Sequence, residues 1–231
     1  MPGPGAEAMR RLTGACFLSL DGVMQAPGGP TEDPQGGFAE GGWMFRVWDP
    51  GIEATLGSLF SGEYDLLLGR RTYDIFAAYW PYATGDNKPM SEAFDQANKY
   101  VLTRGDRPLE WQNSHRLRGI EDVAGIKAEP GSDIIIQGSS TIYPGLLAAG
   151  LIDRLITMTF AVTLGGGKRL FGAGTPVETL EMTDHRVTDQ GTVIATYTPG
   201  GKLPPRAADA PAPATSEREA ERQRLIATGE W

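Results

Sequence analysis

Short apolar runs alternate with amphipathic segments along the first 200 residues of this 231-residue chain, and this alternation limits the possible folds more than any other feature. Short runs rich in β-branched and aromatic side chains, bounded by turn-forming residues, predict buried strands. The predicted strands are residues 12–20, 64–68, 99–103, 134–137, 155–160, 181–187 and 193–198. Gly191 separates the last two strands, which predicts a terminal antiparallel hairpin.

Helical patterns lie between several of these strands. Asp49 and Pro50 form an N-cap and first-turn pair, and apolar residues from Ile52 to Phe60 then recur on one face until Gly62. Residues 72–79, 92–98 and 141–149 predict three further helices. Because strands alternate with helices, we expect an α/β fold, with three α/β/α layers and a mostly parallel central sheet that ends in an antiparallel hairpin.

Glycine and proline concentrate in two segments. Residues 22–42 contain seven glycines and three prolines, which predicts a long mobile surface loop. Residues 200–215 contain four prolines, five alanines and almost no bulky apolar side chain, so they bury too little surface to offset the entropy of ordering. We interpret them as a linker between a domain over residues 1–199 and a short helix over 216–231, which Ser216 caps.

The charge and the apolar content exclude several classes of protein. The chain has 21 lysines and arginines against 29 acidic residues, a net charge of −8, which repels nucleic acid and anionic membrane surfaces. No apolar run is long enough to span a membrane. Arg10 and Arg11 precede a short apolar stretch that resembles an export signal, but Asp21 ends it and a strand fits better. We expect a cytoplasmic protein.

The residues of common metal, nucleotide and hydrolase sites are also missing from the sequence. One cysteine, Cys16, and two histidines do not suffice for a structural zinc or haem site, so no metal is expected. No G-x-G-x-x-G follows a predicted strand, and Gly167-Lys168 lacks the upstream glycine of a Walker A loop. No G-x-S-x-G nucleophile elbow occurs.

Three predicted strands nevertheless end in guanidinium and hydroxyl groups that suit phosphate. In open α/β sheets ligands bind at the carboxyl ends of strands, where helix starts add free N–H donors. The three ends are Gly69-Arg70-Arg71-Thr72, Thr103-Arg104 and Gln137-Gly138-Ser139-Ser140-Thr141. Arginines at such positions are also often solvated or paired with acids such as Asp74. Together the three ends predict a dinucleotide site.

Five motifs, in this order, resemble the dihydrofolate reductase superfamily. They are Ser19-Leu20-Asp21-Gly22, Gly69-Arg70-Arg71-Thr72-Tyr73, Gln137-Gly138-Ser139-Ser140, Leu151-Ile152-Asp153-Arg154 and Leu164-Gly165-Gly166-Gly167-Lys168-Arg169-Leu170-Phe171. The resemblance is strongest to the reductase domain of the bifunctional deaminase-reductase of riboflavin synthesis and its stand-alone relatives. It implies a dihydrofolate-reductase-like fold over residues 10–199, NADPH as the cofactor and, in the riboflavin branch, a homodimer.

The resemblance also implies the cofactor contacts. The residues that match positions around the phosphates, or the turn beneath the pyrophosphate and nicotinamide, are Gly69, Arg70, Arg71, Thr72, Gln137, Gly138, Ser139, Ser140 and Thr141. Thr103 and Arg104 match the strand end near the adenosine 2′-phosphate, which favours NADPH over NADH. Asp21 and Gly22 match the loop that closes over the nicotinamide, and residues 22–42 would extend it as a lid that excludes water.

The catalytic and substrate contacts are less directly implied. Dihydrofolate reductases place a carboxylate sixteen residues before the glycine of the Gly-Arg motif, a position that corresponds to Glu53. A carboxylate buried beside an apolar pocket can hold and donate a proton, although a solvated helix glutamate is the more common outcome. With Asp21, Glu53 is the catalytic candidate. Phe45, Trp48 and Tyr73 are candidates to stack on a flat substrate, but they equally suit a core.

The single cysteine excludes the zinc deaminase half of the riboflavin enzyme. We therefore predict a stand-alone NADPH-dependent reductase that transfers a hydride to a C=N or C=O bond of a small pterin- or pyrimidine-like heterocycle. The alternative is a catalytically silent nucleotide-binding or dimerisation module of the same fold.

Overall fold

One sheet of eight strands organises the part of the chain that the computed structural model describes, residues 9–207 and 215–230. The strands are β1 (Leu12–Ser19), β2 (Tyr64–Gly69), β3 (Lys99–Leu102), β4 (Ser114–Leu117), β5 (Asp133–Gln137), β6 (Arg154–Phe160), β7 (Glu178–Val187) and β8 (Val193–Lys202). Their order across the sheet is β4-β3-β2-β5-β1-β6-β8-β7. The first six pair in parallel, and β8 runs antiparallel to β6.

Helices cover both faces of this sheet. They are α1 (Trp43–Arg46), α2 (Glu53–Leu59), α3 (Arg70–Tyr79), α4 (Lys88–Gln96), α5 (Ile120–Ala128) and α6 (Tyr143–Ala148), with short 3-10 turns at Gln35–Gly37, Pro50–Ile52, Trp80–Tyr82 and Gly85–Asn87. The first four helices pack into one apolar cluster, to which Leu59, Tyr73 and Phe94 belong. The last two pack into a second cluster with Val123 and Leu146. The result is the three-layer α/β/α arrangement that the sequence predicts.

The central strands are apolar on both faces because each face is covered by a helical layer. All six residues of β2 are buried. In β5, Ile134 and Ile136 face the second cluster and Ile135 faces the first. Burial of one such side chain contributes about 1.5–3 kcal/mol, so this apolar sandwich holds the strand ends in place.

All seven predicted strands are confirmed, but three elements escaped prediction. The polar strand β4 and helix α5 together form one more β-α unit between β3 and β5, and the single turn α1 follows the 22–42 segment. Strand β4 lies at the sheet edge, where only Leu117 is buried, so its sequence shows no apolar alternation. Helix α5 has Gly125 at its centre, which weakens its helical signal.

The last two strands form the predicted hairpin. Thr188 N donates to Thr192 O at 3.0 Å, and Gly191 adopts a φ of 86° in the turn. Strand β7 forms the other sheet edge and is largely exposed. Strand β8 continues to Lys202, so the first three residues of the predicted linker are strand instead. The homodimer stays a prediction.

The described chain divides into two compact units, one up to Gly201 and one from Lys202 onward. The second contains helix α7 (Glu217–Thr228), where the Ser216 hydroxyl accepts from Glu219 N and Gly229 caps the end with a φ of 73°. Residues 208–214 of the predicted linker lie outside the described residues. None of the described helices has the length and apolar character that crossing a membrane requires. The cytoplasmic location stays a prediction.

A buried ion pair joins the chain near its start to the centre of the sheet. Arg10 pairs with Asp65 on β2, and their side chains are 2% and 9% exposed. Arg10 Nε also donates to Ser132 O at 2.5 Å, and the second Asp65 oxygen accepts from Asn98 N at 2.9 Å. Because both charges are desolvated, each depends on the other.

We therefore expect Arg10→Met to lower the free energy of unfolding by about 3–5 kcal/mol, since it leaves the Asp65 carboxylate buried without its partner. The double variant Arg10→Met/Asp65→Leu should lose less than the sum of the two single changes. Arg11→Met is the matched control, because the Arg11–Asp133 pair is exposed and is worth less than about 1 kcal/mol. Urea unfolding of the unaltered protein, the two single variants Arg10→Met and Asp65→Leu, the double variant and the control measures these differences. Equal losses for Arg10→Met and Arg11→Met would contradict the assignment.

Candidate active site

The six parallel strands all point the same way, so their carboxyl ends lie side by side. We call this row of strand ends the carboxyl edge, as distinct from the edge strands β4 and β7. On this edge β2 continues into α3, which joins the first helical layer, while its neighbour β5 continues into α6, which joins the second. The two connections therefore leave a crevice between them as they turn to opposite faces. Such a switch point is where open α/β sheets bind ligands.

Ser139 joins the two sides of this crevice. Gly69 N donates to Ser139 Oγ at 2.8 Å, and Ser139 N donates to Thr72 Oγ1 at 3.0 Å. Gly138 and Ser139 both adopt positive φ, 54° and 63°. A Cβ on Gly138 would lie 3.1 Å from the Thr72 side chain. We call these contacts the Ser139 joint; they hold the β5–α6 turn directly against the start of α3.

The other residues of the β5–α6 turn surround this joint. Gln137 is buried, and its carbonyl accepts from Ser139 Oγ at 3.0 Å. Ser140 is half-buried and Thr141 is exposed. Neither hydroxyl has a hydrogen-bonding partner within the described ranges, so both are available to a ligand.

Arg70 does not point toward the Ser139 joint. Its Nε lies 2.8 Å from Asp74 Oδ1, and its Nη1 donates to Arg107 O at 2.7 Å. Residues 70 and 74 are one helical turn apart, whereas Thr72 lies about 200° around the helix from Arg70. The i,i+4 aspartate and the Arg107 carbonyl therefore hold the Arg70 guanidinium, and no described contact joins it to the serine turn. A cofactor contact by Arg70 stays a prediction.

Two arginines at the same edge have guanidinium groups without a partner in the described part of the chain. Arg71 and Arg104 are both exposed, and among the described residues nothing pairs with either side chain. Thr103 stands just before Arg104, with its N–H donating to Leu117 O at 2.9 Å and its hydroxyl accepting from Gly105 N at 3.3 Å. Among the described residues of this edge, Arg71 and Arg104 are therefore the arginines available to an anionic ligand.

Sequence reasoning missed two arginines that hold the turn of residues 104–107, here called the braced turn. Arg118, just after β4, donates from Nη1 to the carbonyls of Arg104 and Gly105 at 3.0 and 3.2 Å. Its Nη2 donates to Asp106 Oδ1 at 2.5 Å, and this bond lowers the pKa of the Asp106 carboxyl. Arg116 on β4 donates to the carbonyls of Gly105 and Arg107. The available signal was their spacing of two residues, which extended chain places on one face.

Asp21 lies at the end of β1 and fastens the loop that follows β6. Its carboxylate accepts from Leu164 N at 3.0 Å, Gly165 N at 2.8 Å and Ser19 Oγ at 2.6 Å. The hydrogen bond from Ser19, followed by the backbone bond from Leu164, lowers the pKa of Asp21 to about 2. Asp21 is therefore ionised at neutral pH.

Gly22 continues this attachment. It adopts a φ of 81°, its N–H donates to Ser19 O at 2.9 Å, and its carbonyl accepts from Leu170 N at 3.3 Å. Arg169 Nε donates to the Asp21 carbonyl at 2.9 Å from the same loop. The β1 and β6 loops therefore form one unit.

The 22–42 segment is attached to the protein and is not a free loop along its whole length. Gln25 is buried; its Nε2 donates to Asp33 O and Gln35 O, each at 2.9 Å, and its Oε1 accepts from Lys168 N at 2.9 Å. Asp33 also forms an ion pair with Lys168. The expectation of a long mobile loop is wrong for this part, because one glutamine bonds three backbone groups in two segments.

The predicted catalytic glutamate is exposed. Glu53 lies in the first turn of α2, next to Ile52, which is fully buried. Within the described ranges no side-chain partner of Glu53 is present. Of the two alternatives left open by the sequence, the structure shows the solvated helix glutamate, since Ile52 takes the inward position. A catalytic role for Glu53 stays a prediction.

The three aromatic residues predicted to contact the substrate differ in their exposure to solvent. Phe45 is 61% exposed and stacks on half-buried Trp48, with ring centroids 5.5 Å apart and planes 17° apart. Tyr73 is buried in the first cluster, and its hydroxyl accepts from Trp111 N at 2.9 Å. Phe45 and Trp48 thus offer an accessible stacked pair, whereas Tyr73 is a core residue at the base of a groove of about 550 Å³ that also contacts Arg70 and Trp111.

Comparison with solved structures identifies the fold. A protein from Shewanella sp. PV-4 whose name assigns it to riboflavin biosynthesis has 19% identity and a TM-score of 0.61, covering 82% of this chain and 98% of that one. Dihydrofolate reductase from Enterococcus faecalis, in complex with NADP(H) and RAB-propyl, has 17% identity, a TM-score of 0.53 and coverage of 82% and 96%. A pyrimidine reductase-like protein from Corynebacterium diphtheriae has 12% identity and a TM-score of 0.56, and the match covers 82% of this chain and 92% of that one. The fold is dihydrofolate-reductase-like, as expected.

Comparison of sequences identifies the family. Uncharacterized protein YyaP from Bacillus subtilis (strain 168) is 25% identical over 199 residues, which are 81% of this chain and 94% of YyaP. The RibD C-terminal domain family matches residues 10–194. This range includes every parallel strand and the whole carboxyl edge described above. The chain therefore belongs to the RibD C-terminal domain family.

Proposed function

We propose that this protein is an NADPH-dependent reductase that transfers a hydride to a C=N or C=O bond of a small heterocycle. The observation that carries the proposal is the Ser139 joint, which brings the ends of β2 and β5 together. The hydroxyls of Ser140 and Thr141 and the guanidinium groups of Arg71 and Arg104, which follow strand ends of the same edge, have no partner within residues 9–207 and 215–230. Family membership and the dihydrofolate-reductase-like fold support it. NADPH, when bound, supplies the hydride.

The donors at this edge fit a cofactor with three phosphates. In the proposal, Arg104 and the Thr103 hydroxyl hold the adenosine 2′-phosphate, and Arg71 holds a pyrophosphate oxygen. The hydroxyls of Ser140 and Thr141 add neutral donors without further charge. Guanidinium groups that no aspartate neutralises attract phosphate more strongly than paired ones, which is why Arg71 and Arg104 take precedence over Arg70.

The substrate side rests on the exposed aromatic pair. In the proposal, Phe45 and Trp48 present an aromatic surface on which a flat heterocycle stacks. Asp21 acts as a positioning residue, because a carboxylate ionised at neutral pH and bonded to three donors fixes the loops beside the site but has no proton to give.

A second candidate function is a silent nucleotide-binding module of the same fold. The observation that favours it is the state of the two predicted catalytic carboxylates: Glu53 is exposed, and Asp21 is occupied by loop contacts. Such a module would bind NADPH and reduce nothing.

We expect purified protein to bind NADPH, measured by energy transfer from tryptophan to the bound cofactor. Arg104→Ala should weaken NADPH binding about tenfold or more, the effect of losing a hydrogen bond to a charged group, and should leave NADH binding nearly unchanged. Arg11 is also exposed and lies just before the amino end of β1, away from the carboxyl edge. Arg11→Ala is therefore the matched control for the loss of one exposed arginine. Absence of NADPH binding by the unaltered protein would contradict the proposal.

Oxidation of bound NADPH should be stimulated by at least one member of a panel of dihydropterins, dihydrofolate and pyrimidinones, measured as loss of NADPH absorbance. Turnover that falls when Trp48→Ala removes the stacked pair supports the reductase. Tight NADPH binding with no turnover across the panel supports the silent module instead.

Asp21→Asn should lower the free energy of unfolding at neutral pH by about 1.5–3 kcal/mol, because the amide accepts from only one of the two loop N–H groups. The Asp21 pKa is lowered from 3.8 to about 2, so its contribution is complete above pH 3.8 and is lost as the pH falls toward 2. The stability difference between the two proteins should therefore shrink over that range, with Asp86→Asn as an exposed control. A difference independent of pH would contradict the role of the charge.

A further inference from the structure

The braced turn is held by side chains from outside it at every one of its four residues. The carbonyls of Arg104, Gly105 and Arg107 and the Asp106 carboxylate all accept from guanidinium groups. A surface turn normally leaves such groups to water, which permits it to move. Here three donors, Arg70, Arg116 and Arg118, replace that water.

The two arginines of the braced turn, Arg104 and Arg107, have different environments. The Arg107 guanidinium pairs with Asp74 at 2.8 Å, so it is not free for a ligand. The Arg104 guanidinium has no partner among the residues that the structure describes, while its own carbonyl accepts from Arg118 at 3.0 Å. One exposed cation is thus presented from a backbone that is already ordered.

We infer that Arg118 is a positioning residue for the choice between NADPH and NADH, acting through Arg104. The inference rests on the proposed function, in which Arg104 contacts the 2′-phosphate. A preordered backbone reduces the entropy lost when Arg104 engages that phosphate, so the gain applies to NADPH and not to NADH. Arg116 supports the other end of the turn in the same way.

The geometry of the guanidinium, more than its charge, performs this role. Arg118 uses two nitrogens to reach two carbonyls and one carboxylate. A lysine at this position keeps the charge but has no planar fork with which to make these contacts together. Arg118→Lys therefore separates positioning from a direct electrostatic attraction of the cofactor.

The test is a double-mutant cycle of Arg104→Ala and Arg118→Lys, with dissociation constants for NADPH and NADH measured in each full-length protein. We expect Arg118→Lys to weaken NADPH binding about three- to tenfold, the size of coupling between contacting residues, with NADH affinity unchanged. In the Arg104→Ala background the same change should have no further effect. Arg11→Lys is the matched control, because Arg11 is exposed, pairs with Asp133 and lies before the amino end of β1.

Asp106→Asn provides a second variant that keeps Arg118 but weakens its hold on the turn. The Asp106 side chain is 86% exposed, so the fold should tolerate the change, as circular dichroism will verify. NADPH preference should fall in the same direction, by about twofold or more, the low end of such coupling.

Three outcomes would overturn the inference. An unchanged preference in both Arg118→Lys and Asp106→Asn, or additive effects of the two changes in the cycle, would show that Arg118 does not act through Arg104. Equal affinity of the unaltered protein for NADPH and NADH would show that the 2′-phosphate is not read. The first two results leave the proposed reductase intact, whereas equal affinity also removes the 2′-phosphate contact from the proposed function. Binding of neither nucleotide by the unaltered protein overturns both.

Discussion

The Ser139 joint is the contact on which the candidate site depends. Strands β2 and β5 are neighbours, but the helices that follow them leave toward opposite faces of the sheet, so nothing in the sheet itself holds the two connections together. The bonds from Gly69 N to Ser139 Oγ and from Ser139 N to Thr72 Oγ1 supply that link. They form because Ser139 adopts a positive φ and because Gly138 has no side chain to separate the turn from Thr72.

The arginines along the carboxyl edge fall into two groups: those bonded to other protein groups and those without such a partner among the described residues. In a chain of net charge −8, attraction of an anionic ligand depends on local positive charge. Arg70, Arg107, Arg116 and Arg118 direct their guanidinium groups at carbonyls or aspartates of the protein. Arg71 and Arg104 have no such partner among the described residues, and in the proposal these two hold phosphate. The other arginines hold the backbone that carries Arg104, which is the basis of the inferred positioning role of Arg118.

The strands and the order of the layers were predictable because buried parallel strands are continuous apolar runs. The edge strand β4 was not, since an edge strand with one buried residue, Leu117, has no such run. The direction of Arg70 could have been read from Asp74 four residues later, a pairing that the sequence leaves open against phosphate binding. Glu53 was placed by counting along the chain, which cannot tell which of two neighbouring residues, Ile52 or Glu53, faces inward.

The attachment of the 22–42 segment could not be predicted because its composition is that of a loop. A single buried glutamine, Gln25, supplies the bonds that fix it, and no local pattern distinguishes such a residue from an exposed one. The same holds for Asp21, whose partners Leu164 and Gly165 are more than 140 residues away. Contacts of this kind arise from the tertiary fold and appear only when the strand ends are assembled.

A crystal structure of the protein with NADPH tests the central claim most directly. The account predicts the cofactor along the carboxyl edge of the sheet, with its 2′-phosphate within hydrogen-bonding distance of the Arg104 guanidinium and its pyrophosphate beside Arg71 and Ser140. Density for NADPH elsewhere, such as in the groove beside Tyr73 and Trp111, with Arg71 and Arg104 exposed to solvent, would contradict it.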